Sequence, residues 1–71
     1  MKHERIEVNP AVMFGKPVIK GTRLTVELIM EELRGGMSVA EMLEAHPRLT
    51  VEGVEAAKAF ASEYMTEHAA E

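Results

Sequence analysis

The chain contains no cysteine, tryptophan, aspartate or glutamine, and a single asparagine, Asn9. Without cysteine there can be no disulfide and no thiolate metal ligand, and a reducing compartment suits the chemistry. The three histidines, His3, His46 and His68, stand too far apart to form a local ligand pair, so neither metal nor cofactor is expected. No apolar run approaches the roughly 20 residues that span a bilayer, and the opening MKHERIEVNP has charge but no apolar signal-peptide core. A cytoplasmic protein without a membrane partner is expected. Catalytic signatures are also missing. There is no phosphate-binding GxxxxGK loop, and the glutamates fall at helical spacing, where a solvated face explains them. The chain is too short to enclose a substrate easily, and an enzyme is not expected.

What is present fits one small domain over residues 1–71: an extended segment 1–24, a helical part 25–67 and a frayed tail 68–71. A domain of this size buries only about 60% of its unfolded surface. Chains below roughly 70–80 residues often need disulfides, a metal or an oligomer. With the first two set aside, self-association or a protein partner remains, and a homodimer is expected.

Charge is unevenly distributed. Residues 1–26 carry five cations against two glutamates (+3), and residues 27–71 carry three cations against ten glutamates (−7), which together give the net −4. Two surfaces of opposite sign follow: a basic one suited to an anionic partner and an acidic one that phosphate repels.

In the first 23 residues, Ile6 and Val8 alternate with Glu7 as in a half-buried strand, and Asn9-Pro10 is turn chemistry. Val12-Met13-Phe14 reads as a second strand and Val18-Ile19 as a third, with Pro17 restricting the latter to an edge or a strand start. Three helices then announce themselves by the same device. Thr25, Ser38 and Thr50 are N-cap residues, each flanked by an apolar pair able to staple the first turn, and Ser38 with Glu41 completes a capping box. Apolar spacing at i, i+3, i+4 and i+7 gives Val26, Ile29, Met30 and Leu33, then Val39, Met42, Leu43 and His46, then a third stripe through Val54, Ala57 and Ala61. Gly35-Gly36 ends the first helix, and Pro47 stops the second at or before His46, a C-cap partner. The predicted spans are 26–34, 39–45 and 51–66. Five of the six methionines, Met13, Met30, Met37, Met42 and Met65, are expected to fill core gaps.

This is a mainly α architecture: a three-helix, helix-turn-helix-like bundle, of the homeodomain or winged-helix kind, with a short N-terminal β-ribbon. The third helix would read DNA in such a fold, yet its polar positions carry Glu52, Glu55, Glu63 and Glu67 against Lys58, which argues against base readout. The stretch GKPVIKGTR, residues 15–23, holds three cations and no acid. Lys16, Lys20, Thr22 and Arg23 are the candidate residues for a partner or nucleic acid: the lysines share strand parity, and Gly21-Thr22 offers backbone N–H groups to an anion. The simpler reading has the glycines shaping the turn into the first helix, with the lysines solvated and Arg23 either paired to Glu27 or covering an apolar edge with its stem. Small residues on the third helix make Ala57, Phe60, Ala61 and Tyr64 the candidate dimer contact.

Val8-Asn9-Pro10, the string Phe14-Gly15-Lys16-Pro17-Val18-Ile19-Lys20-Gly21-Thr22-Arg23, Gly36, Ser38, Glu41 and His46-Pro47-Arg48-Leu49-Thr50 together resemble the prokaryotic domain of unknown function 433 family. The resemblance runs from about Ile6 to Tyr64, and GKPVIKGTR is its specific part. It implies a small helix-turn-helix-like protein acting as a VapB-type antitoxin of a type II toxin–antitoxin pair. The resemblance further implies that such a protein binds and neutralises a PIN-domain ribonuclease toxin and represses its own operon by binding DNA. No catalytic residue carries over. A non-catalytic homodimeric assembly module without DNA binding is the alternative.

Overall fold

In the computed structural model the described residues are 4–68, and for 64–68 only the backbone. Strands β1 (Ile6–Glu7) and β2 (Val18–Ile19) are followed by helices α1 (Val26–Arg34), α2 (Val39–Ala45) and α3 (Val51–His68). The architecture is mainly helical with a two-stranded antiparallel ribbon at the N-terminal end, as the sequence predicts. Of the predicted tail 68–71, His68 still belongs to α3, and residues 69–71 lie outside the described residues.

Each helix starts where its cap places it. Thr25 and Thr50 accept 3.0 Å hydrogen bonds from the N–H groups of Leu28 and Gly53. Ser38 and Glu41 satisfy one another's backbone N–H groups at 3.1 and 2.8 Å. The α1 terminus is a Schellman turn: Gly36 N–H donates to Leu33 O and Met37 N–H to Glu32 O, both at 3.1 Å, with Gly36 in the left-handed region at φ +97°. His46, at φ −127° and ψ 90°, is extended ahead of Pro47, and its N–H closes α2 on Met42 O.

The ribbon pairs Ile6 with Ile19 and Glu7 with Val18. Val18 also bridges to Thr25, so β2 lies between β1 and the entrance to α1. Two sequence expectations change here. Val8 lies outside β1 and is exposed. Val12-Met13-Phe14 is not a strand. Met13, Phe14 and Gly15 take φ of 49°, 59° and 84°, a tight left-handed turn. The hydrogen bonds Val12 N–H to Asn9 O (2.8 Å), Gly15 N–H to Val12 O (3.1 Å) and Lys16 N–H to Met13 O (3.1 Å) close the chain on itself there.

The core joins Ile19, Val26, Ile29, Met42, Leu49, Val54 and Ala57, all buried. α1 packs chiefly on α3, and α3 touches β1 and α2. Met42 is fully buried and Met30 and Met37 pack at the core's edge, as gap-filling residues should, whereas Met13 sits in the turn outside the core cluster and the Met65 side chain lies outside the described residues. Truncating Ile29 to alanine removes a fully buried side chain and should cost about 2–5 kcal/mol. Among the described residues no helix is long and apolar enough to cross a membrane.

Candidate functional site

The turn after β2 is the centre of the GKPVIKGTR stretch. Thr22 N–H donates to Ile19 O at 3.0 Å, and Gly21 sits at φ +82°, the third position of a type II turn. The Thr22 hydroxyl donates to the same carbonyl at 2.7 Å and accepts from Leu24 N–H at 3.0 Å. Both donors of Thr22 are therefore spent inside the turn, which leaves none for an anion. Its role is to set the loop that displays its neighbours.

The candidate cations do not share one surface. Lys16 pairs with Glu27 at 3.3 Å, both side chains well exposed, an arrangement that contributes little to stability. Glu27 thus takes Lys16 rather than the expected Arg23. Lys20 and Arg23 lie elsewhere, and the fold adds two cations to them. The Lys20 N–H donates to Arg5 O at 2.7 Å, which fixes the β1 entrance beside the turn. Arg48 Nη1 reaches to 3.5 Å from Gly21 O, and the α2–α3 loop carries it there. Arg48 lines two open clefts, one with Arg5 and Lys20 and the other with Arg23. Arg5, Lys20, Arg23 and Arg48 form a basic ridge, all exposed and none in an ion pair among the described residues. Glu4 and, from α3, Glu52 and Glu55 line the first cleft beside these cations, and Glu7 lines the second.

Sequence reasoning assigned Lys20 and Arg23 but not Arg5 or Arg48. A cation in the loop just before the Thr50 cap was the available signal for Arg48. The dimer candidates also separate. Ala57 has no exposed surface and belongs to the chain's own core, so it has nothing to offer a second copy. Phe60 and Ala61 are half-buried at the core's edge. The side chain of Tyr64 lies outside the described residues. No group of three or more histidine or carboxylate side chains among the described residues is placed to hold a metal ion.

Residues 6–61 match the family described as "Protein of unknown function (DUF433)". An uncharacterised protein of Sinorhizobium fredii, y4eO, is 36% identical over 58 residues, which cover 82% of this chain and 26% of that protein. This chain thus spans about a quarter of that relative's length. A crystal structure of a DUF433 member protein from Anabaena variabilis superimposes with a TM-score of 0.79 at 27% identity, over 94% of this chain and 69% of that one.

Proposed function

Starting from a chain that belongs to the DUF433 family, we propose that it acts without catalysis, as the antitoxin of a toxin–antitoxin pair, by docking its basic ridge on an acidic site of a nuclease toxin. The ridge of Arg5, Lys20, Arg23 and Arg48 carries the reading. Four exposed cations without ion-pair partners among the described residues are unfavourable to gather unless something anionic meets them. A nuclease that holds metal through clustered carboxylates offers a compact anionic target. The charges flanking the ridge favour such a target over DNA. A duplex on the ridge would continue over the exposed Glu52 and Glu55 at the start of α3, and each would repel its phosphates.

Co-expression with the product of the adjacent gene tests this reading. The two proteins should co-purify, and Lys20→Ala with Arg23→Ala should weaken the complex at least about tenfold. An unchanged dissociation constant for the double variant rejects the ridge as the contact. A mobility shift with upstream DNA, falling steeply between two salt concentrations, would instead assign the ridge to phosphate.

A further inference from the structure

We infer that Phe14 is a dimerisation anchor: in a two-fold symmetric pair, the ring of each protomer seats in the groove between α1 and α3 of its partner. Phe14 is 95% exposed, and its backbone is left-handed at φ 59° and ψ 30°, between left-handed Met13 and Gly15. For an L-residue that conformation costs roughly 1–2 kcal/mol. The exposed ring adds apolar area on the order of 150–250 Å² that none of the described residues covers. Glycine or asparagine would remove both costs. Strain and exposure together, where glycine would serve the same turn, point to a contact made outside the chain. The turn is also rigid. Its backbone hydrogen bonds and the 2.9 Å bond from Ala11 N–H to the Asn9 side chain hold the ring outward before any encounter, so little entropy remains to be lost on binding.

The receiving groove lies on the same chain, with a volume of about 380 Å³ and an apolar lining that includes Pro17, Met30, Phe60 and Ala61. One aromatic ring fits it, with the apolar side chains of Met30 and Phe60 in its wall. The groove's rim begins at Lys16. Phe14 is tied to that rim through Gly15 alone, and it stays in solvent rather than turning back into the groove of its own chain. Anchor and groove border one another, and this is the arrangement a two-fold axis turns into two identical contacts. The rim favours a second copy over a foreign polyion. It carries Lys16 and Arg34 beside Glu27, so either a polyanion or a polycation meets a like charge, whereas an identical rim brings opposite signs together. A domain with so few buried side chains gains most from such a partner.

Light scattering on the full chain tests the pair. The wild type should run at twice its 7.9 kDa mass, and Phe14→Ser should raise the dimer dissociation constant about a hundredfold. That position is exposed, so the circular dichroism spectrum should not change. Because the chain has no cysteine, mixing Phe14→Cys with Ala61→Cys protein under mild oxidation should give a covalent heterodimer. A monomeric wild type, a Phe14→Ser dimer of unchanged affinity, or the absence of the mixed disulfide would each overturn the proposal. So would a monomer whose Phe14→Ser variant loses only the adjacent-gene protein, since Phe14 would then belong to a foreign partner. Dimerisation can survive failure of the antitoxin reading, and the two results are separately visible.

Discussion

The imidazole of His46 meets the carboxylate of Glu32 with Nε2 at 3.1 and 3.2 Å from its two oxygens, and both side chains are only 20% exposed. This contact ties the end of α2 to the last turns of α1, across the Gly35-Gly36 turn. His46→Ala leaves a half-buried carboxylate without its partner, so it should cost about 1–3 kcal/mol in urea unfolding. Glu32→Gln keeps an acceptor for the ring and should cost less. Equal losses for the two variants would show that packing, not the hydrogen bond, holds this corner.

The start of α2 has a pH dependence whose sign can be worked out. The Ser38 N–H, and then the Ser38 hydroxyl, hold the Glu41 carboxyl below its ordinary value. A carboxyl with a lowered folded value contributes stability above its unfolded value, about pH 4, and loses it as pH falls through the folded value. Glu41→Gln keeps an acceptor for the Ser38 N–H but does not titrate. The wild type should therefore melt higher than Glu41→Gln at neutral pH, and the gap should close below about pH 4. A gap independent of pH would remove the capping charge from the account.

The two capping results bear on what the sequence could reveal. Caps, the Schellman glycine and the helix stripes are local, so Thr25, Ser38, Thr50 and Gly36 placed α1 and α2 at their observed bounds and α3 within two residues of its end. The turn at Met13-Phe14 was hidden because Val-Met-Phe has strand character, and nothing in that composition signals left-handed backbone at two residues other than glycine. The ridge was half legible. Lys20 and Arg23 lie in one short segment, but Arg48 reaches Gly21 across 27 positions of sequence. The Glu32–His46 contact spans 14 positions and has no local signature either.

Gly53 tests how closely α3 approaches β2. A Cβ there would lie 3.3 Å from Leu49 Cδ1 and 3.4 Å from both Ile19 Cγ2 and Thr50 Oγ1. Alanine offers up to about 1 kcal/mol of helix propensity, but these neighbours must give way for it, so Gly53→Ala should be near neutral. Gly53→Val adds two methyl groups in the same space and should destabilise by about 1–3 kcal/mol. Thermal melts of the two variants decide the matter, and a valine variant as stable as alanine would mean that the first turn of α3 can move off the ribbon.

The turn at Phe14 sets stability against association, and Phe14→Asn separates them. Asparagine tolerates the left-handed region that phenylalanine pays to occupy. It also removes an exposed ring without disturbing any buried contact. In dilute solution, where the protein is monomeric, Phe14→Asn should be more stable than the wild type by about 0.5–1 kcal/mol. At high concentration the order should reverse, because the wild type gains stability by mass action as it dimerises and the variant does not. A melting temperature that rises with concentration for the wild type and stays flat for Phe14→Asn is the expected pattern. Parallel concentration dependence in both would place the interface elsewhere on the chain, and a less stable variant in dilute solution would show that the ring supports the turn from within.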